Sequence, residues 1–309
     1  MTMNTELVVS RFIGRAVLVS FFLGLLFACH RPETVQEPFT EIASAPQVLA
    51  PGVISSSNFH ETINAIAEGN DTLYFSRSDQ DFKQSTLFRS AFVDGKWEVP
   101  EQLAFSGEHY DAGLSFSPDG AWAFFTSKRL PEKEGLNKEW NIWKVPVQDQ
   151  SWGSPEVLDF PINSDGQECC LTMNKQGMTY FASNRLGSWD IYYAQYIDGH
   201  FQSVTILSDS INSSAGEWPG YIDESGSTLI LSSIRKQGLG GDDLYLGQLQ
   251  AGKWSKAQLL PSPINSSSYE DSPLLSADGE VILFSSWRET DFSKGMSNIY
   301  VAGWPALSQ

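Results

Sequence analysis

The chain has 309 residues, a formal net charge of −17, 41% hydrophobic residues and 13% aromatic residues. That apolar content is enough for a large core and excludes wholesale disorder. A surface this acidic repels a phosphate backbone and excludes nucleic acid as a partner.

The first element is a targeting segment. Arg11 and Arg15 precede an apolar run from Ala16 to Phe27, interrupted only by Ser20 and Gly24. The run is shorter than the roughly 20 residues a bilayer span needs and fits the apolar region of a signal peptide over residues 1–28. It ends Leu26-Phe27-Ala28-Cys29, which resembles the lipobox of bacterial lipoproteins. The resemblance implies cleavage before Cys29, lipidation of that cysteine and attachment to a membrane of the cell envelope. Ordinary cleavage after Ala28 with a free Cys29 is the alternative. His30 rather than an aspartate follows the cysteine, so the outer membrane, facing periplasm or surface, is the expected location. Residues 29–45 are polar, contain Pro32 and Pro38, and read as a flexible tether.

The remainder, residues 46–309, is a repeat array. Five acids, Glu61, Asp111, Glu168, Glu217 and Glu270, recur at roughly 50-residue intervals. Nine residues after each stands a turn residue: Asn70, Gly120, Gly177, Gly226 and Gly279. A β-rich run follows every turn, such as Thr72-Leu73-Tyr74-Phe75 or Val281-Ile282-Leu283-Phe284. Each run closes on an arginine: Arg77, Arg129, Arg185, Arg235 or Arg288. A third strand carries an aromatic (Leu87-Phe88, Ile142-Trp143, Ile191-Tyr192, Leu244-Tyr245, Ile299-Tyr300), and a weaker fourth follows in four repeats, as at Glu156-Val157-Leu158 and Gln258-Leu259-Leu260. The fifth repeat lacks its fourth strand, but Gln47-Val48-Leu49 precedes Ser55-Ser56-Ser57 as Gln258-Leu259-Leu260 precedes Ser266-Ser267-Ser268. The spacing therefore predicts an all-β fold, a five-bladed β-propeller of four-stranded blades whose last blade is closed by the N-terminal strand.

Ser115-Phe116-Ser117-Pro118-Asp119-Gly120, Ser183-Asn184-Arg185-Leu186-Gly187-Ser188-Trp189-Asp190-Ile191-Tyr192, Gly240-Gly241-Asp242-Asp243-Leu244-Tyr245 and the Ile-Asn-Ser loops at Ile162, Ile211 and Ile264 resemble the WD-like propeller repeats of the TolB-type family. The resemblance covers residues 46–309 and implies the fold. Such repeats serve scaffolds, ligand binders and enzyme appendages alike. TolB itself has six blades and an extra N-terminal domain, so its role in a trans-envelope complex does not carry over.

Each acid is placed to meet its arginine across an antiparallel hairpin, Asp111 facing Arg129, Glu217 facing Arg235 and Glu270 facing Arg288. With the first strand innermost, the five acids would ring the channel mouth. Two readings follow: ion pairs that pin each blade, or the carboxylates of a glycosidase. The residues that break the repeat are His60, His109 and Tyr110 beside the first two acids, the adjacent Cys169 and Cys170, and Trp218 and Trp287. The histidines are either solvated rim residues or, with Glu61, Asp111 and Tyr110, a metal or proton-transfer cluster. The tryptophans either stack on a ligand or pack between blades. The cysteines are either two small buried residues or a strained vicinal pair, and on a regular strand their side chains would point to opposite faces. The charged excursion Leu130 to Glu139 rises on the acids' face.

No metal-ligand spacing, phosphate-binding glycine loop or serine-hydrolase elbow occurs, so neither a cofactor nor a metal is expected. The sequence reads as a monomeric, non-enzymatic binding or scaffolding lipoprotein of the cell envelope with no catalytic residues. One propeller face would meet an envelope protein, a peptide or a glycan. The alternative is a glycoside hydrolase with channel-mouth carboxylates.

Overall fold

The computed structural model describes residues 38–39, 42–148 and 151–304, and Cys29 lies outside them. The described residues form five antiparallel sheets and no helix. The inner strands are His60–Ile66, Asp111–Phe116, Glu168–Met173, Glu217–Ile222 and Glu270–Leu275. Each touches its two neighbours, and the first meets the last, so the ring is closed. The second strands are Thr72–Ser78, Trp122–Ser127, Met178–Ser183, Thr228–Ser233 and Val281–Ser286; the third are Ser85–Val93, Asn141–Gln148, Asp190–Ile197, Asp243–Gln250 and Asn298–Gly303. Short outer strands at Glu101–Gln102, Glu156–Val157, Thr205–Ile206 and Gln258–Leu259 complete four blades. Gln47–Val48 completes the fifth, pairing with Val301 and Tyr300. The protein is a five-bladed β-propeller closed by its N-terminal strand.

The hairpin turns form where the sequence places residues tolerant of a left-handed backbone: φ is 57° at Asn70 and 69° at Gly120. The second strands are sandwiched between blades, which is why Val281–Ser286 is buried at every position. The core is five layers between neighbouring blades. Leu73 and Phe75 of blade one pack on Leu283, Ile299 and Val301 of blade five. Phe124 and Ile142 of blade two meet Phe181 and Tyr192 of blade three.

Three features depart from the sequence reading. Contact with the propeller starts before residue 46: Phe39 and Ile42 pack against the core, and Gly303 N–H donates to the Ala43 carbonyl at 3.0 Å. The third strands of blades one to four also run on past the outer strand into small hairpins closed by Lys96–Trp97, Ser151–Trp152, His200–Phe201 and Lys253–Trp254. Asp94-Gly95, Asp198-Gly199 and Ala251-Gly252 make three of those turns with positive φ at both residues. Finally, every inner strand carries a bulge two or three residues beyond its acid, which shifts the register of each blade.

Candidate functional site

The five acids are wholly buried and each forms an ion pair with the arginine of its own blade. The N–O separation is 3.3 Å for Glu61–Arg77, 3.2 Å for Glu168–Arg185, 3.2 Å for Glu217–Arg235 and 3.1 Å for Glu270–Arg288, and Arg129 clasps Asp111 through both terminal nitrogens. Except in blade one, where Glu61 faces Arg77, the residue directly across the ladder is a serine and not the arginine. Asp111 faces Ser127, Glu168 faces Ser183, Glu217 faces Ser233 and Glu270 faces Ser286. The bulge leaves an inner-strand residue unmatched and slides the acid toward the turn end of its partner strand. The arginine then reaches back from two residues further on.

Each arginine also holds the loop that enters its blade. Arg77 donates to the Val53 and Ile54 carbonyls at 2.7 and 3.0 Å, Arg129 to Phe105 at 2.6 Å, and Arg288 to Pro263 and Ile264 at 3.0 and 2.6 Å. Arg185 and Arg235 do the same at Ile162 and Ile211. This explains the Ile-Asn-Ser loops. The isoleucine carbonyl accepts from the arginine. The serine donates to the acid, as Ser266 does to Glu270 at 2.6 Å. The asparagine stitches the preceding blade: Asn163 accepts from Ile142 N–H and donates to the Ile142 and Leu158 carbonyls, all at 2.8 Å. In blade two Ser106 occupies the asparagine position and bonds the shorter Asp111 at 2.8 Å. Burial raises the Glu61 and Glu168 carboxyls above the usual range, opposed by the serine hydrogen bonds and the guanidinium.

None of these acids lines the channel, which corrects the expectation that they ring its mouth. The channel holds a cavity of about 510 Å³ with a different wall. The residue after each acid points into it: Thr62, Ala112, Cys169, Trp218 and Asp271. No two of these share a side chain, so the position obeys no repeat. Phe82, Tyr110, Trp140, Trp189 and Trp287 add aromatic surface. Tyr110 stacks on Trp140 with centroids 5.7 Å apart, and Trp189 lies 6.3 Å from Trp218. Lys128 Nζ sits 5.0 Å from the Tyr110 ring.

His60 is buried behind this wall, between Phe82 at 4.3 Å and Trp287 at 4.4 Å, and its Nδ1 accepts from Ser297 N–H at 3.0 Å. Burial lowers its pKa. His109 is exposed to solvent. Among the described residues no group of three acids, histidines or cysteines is arranged to hold a metal ion. The Leu130–Glu139 excursion is tied to its own blade by Lys133, which pairs with Asp159 at 2.7 Å.

Two carboxylates that the repeat pattern does not single out complete the wall, Asp242 and Asp271. Burial pushes Asp242 up to about 6, with repulsion from Asp243 adding to the shift, and Asp271 up to about 7, with repulsion from Asp242 and Glu270 adding. Among the described residues no lysine, arginine or histidine lines the cavity beside them, and none makes a hydrogen bond to Asp242 Oδ1. The neighbouring Asp243 has a structural task, accepting from Leu239 and Gly240 N–H at 2.8 and 3.1 Å. A signal for Asp271 was present in the sequence: it follows Glu270 directly, where the other repeats have Thr, Ala, Cys and Trp.

Cys169 and Cys170 both face the cavity, against the opposite-face expectation of a regular strand. Cys170 lies at the bulge with φ 59°, as Gly113 and Ser272 do in their blades at 64° and 51°. The two sulfurs are 3.1 Å apart.

No protein-family model matches the sequence, and no curated protein is similar to it. Solved structures do resemble it. TolB from Acinetobacter baumannii aligns at 15% identity over 79% of this chain and 63% of its own length, with a TM-score of 0.42. An α-L-arabinofuranosidase from Lactobacillus brevis aligns at 12% identity over 83% of this chain and 94% of its own, with a TM-score of 0.49. An α-L-arabinofuranosidase from Podospora anserina, in complex with cellotriose, aligns at 12% identity over 85% and 94%, with a TM-score of 0.48. At these identities the likeness is one of fold.

Proposed function

We propose that this protein is a lipid-anchored binding module of the bacterial cell envelope that holds a glycan in the mouth of its propeller channel. The observation that supports this reading is the cavity wall. Indole and phenol faces from several blades stand beside the side chains of Asp242 and Asp271. Aromatic planes match the apolar faces of a sugar ring and carboxylates accept its hydroxyls. The repeated acids are engaged by their arginines and are left out of the reading. Tryptophan fluorescence titrated with a panel of oligosaccharides and basic, acidic and neutral peptides tests it. A saturable response to a glycan is expected, weakened at least tenfold by Trp218→Ala or Trp287→Ala. A response to peptides alone overturns the glycan assignment.

One observation favours a second reading, glycan cleavage. Burial holds the Asp242 carboxyl at about 6 and the Asp271 carboxyl at about 7, with no basic neighbour in the cavity among the described residues, so one can be protonated while the other is ionised, as a glycosidase acid and base require. A hydrolysis screen separates the two readings. Cleavage that Asp271→Asn abolishes while binding persists selects the enzyme, and absence of cleavage with binding selects the module. The anchor has its own test: Cys29→Ser is expected to move the protein to the soluble fraction. A serine variant that stays membrane-bound and still takes up lipid label refutes it.

A further inference from the structure

We propose that Cys169 and Cys170 are a disulfide-exchange site, closing on each other into a vicinal disulfide that forms part of the channel wall. Consecutive residues on a flat strand direct their side chains apart, but the bulge here does the opposite. It places Cys170 in the left-handed region, at φ 59°, and brings both sulfurs to the cavity at 3.1 Å. The backbone is held in this form from the neighbouring blade: Cys170 N–H donates to Thr126 Oγ1 at 3.1 Å, and Gly113 packs against the Cys170 backbone. The pair is therefore preorganised, and a rotation of the side chains brings the sulfurs to bonding distance.

The two thiols are not equivalent. Cys169 is wholly buried, and burial pushes its thiol well above the ordinary range, so it attacks poorly from a resting state. Cys170 is half-buried and meets the cavity, so it is the entering thiol. The oxidant is a small organic disulfide. Cys170, as thiolate, attacks one sulfur of that disulfide and expels the other half as a thiolate. Cys169 then gives up its proton and attacks the Cys170 sulfur of the mixed disulfide, expelling the second half. The two protons lost from the protein end on the two expelled thiols, and the two electrons pass to the external disulfide. Because consecutive Cα atoms are about 3.8 Å apart and ordinary disulfides need about 4.4 Å or more, the closed ring is strained and is expected to reopen readily with reductant.

The test uses the intact protein and cystamine, a small cationic disulfide suited to a cavity whose charged side chains are Asp242 and Asp271. Reduced protein is incubated with excess cystamine, alkylated in denaturant and digested. The peptide carrying both cysteines is then weighed. The expected product lacks two hydrogens, carries no alkyl group and no cysteamine, and accepts two alkyl groups after dithiothreitol. Recovery of a doubly alkylated peptide, or of one bearing cysteamine, overturns the proposal. Single variants fix the order of events: Cys169→Ser is expected to accumulate a cysteamine adduct on Cys170 at least tenfold faster than Cys170→Ser does on Cys169. Equal or reversed rates refute Cys170 as the entering thiol.

Discussion

Replacing Glu217 by glutamine tests the structural account of the repeated acids most directly. Glu217 is fully buried; it accepts from Ser213 N–H and Ser233 Oγ, each at 3.0 Å, and from Arg235 Nε at 3.2 Å. Glutamine keeps the shape but turns one acceptor oxygen into an amide that faces donors, and it leaves the Arg235 charge at 10% side-chain exposure without a counter-charge. Breaking one side of a buried pair costs about 3–5 kcal/mol, which for a domain of this size lowers the melting temperature by about 6–20 °C. Adding Arg235→Leu should cause little further loss and so reveal coupling between the sites. Glu101→Gln is the control: Glu101 pairs with Arg89 at 2.9 Å but is 68% exposed, so its loss should stay below about 1 kcal/mol. Melting curves and a glycan-hydrolysis assay on the same preparations decide the matter. A Glu217→Gln protein that melts within about 2 °C of the parent but has lost a hydrolytic activity would refute the clamp and make this acid catalytic.

Two further outcomes follow from the fold and the cavity. Asp271 has its carboxyl raised from 3.8 to about 7 in the folded protein, so the folded state holds more protons than the unfolded state across that window and stability falls as pH rises through it. Full burial would make this about 4 kcal/mol, but the open mouth and the coupling to Asp242 reduce it to about 1–2 kcal/mol. Asp271→Asn should flatten the fall measured by denaturant unfolding between pH 4 and 7, and an unchanged slope refutes the assignment. Deleting residues 30–55 removes the strand paired with Val301 and Tyr300, the buried Leu49 and Ile54 side chains and the carbonyls held by Arg77. It should lower the melting temperature by at least about 10 °C or abolish folding, and an unchanged melting temperature refutes closure by the N-terminal strand.

The sequence carried the fold through its periodicity, because every blade solves the same packing problem and repeats the same answer. The acid, turn and arginine spacing located the strands, and the matching Gln-Val-Leu and Gln-Leu-Leu segments located the closure. The small hairpins ending at Trp97, Phe201 and Trp254 were legible in Asp-Gly and Ala-Gly dipeptides but lay outside the four-strand template. The cavity wall was harder for a physical reason. A position that packs between blades must keep its chemistry, whereas one that faces the channel is free of that constraint, and Thr62, Ala112, Cys169, Trp218 and Asp271 show that freedom. Periodicity therefore drew attention to Glu61, Asp111, Glu168, Glu217 and Glu270, one residue short of the wall. The reach of each arginine to the incoming loop was also hidden, since spacing along a hairpin says nothing about the chain arriving from the blade before.

The pairing of Gln47–Val48 with Val301 and Tyr300 also sets a timetable. Everything from residue 49 to residue 299 is made between this strand and its partner, and at about 5–20 residues per second that wait is on the order of 10 to 50 seconds. During it, four blades can assemble from neighbouring hairpins, but the fifth stays one strand short and the ring stays open. The final seal depends on contacts that join the two ends of the propeller, far apart in sequence, the kind that makes folding slow. Until that pairing forms, the propeller is an open arc with two unpaired strand edges, the kind of edge that invites pairing with another chain.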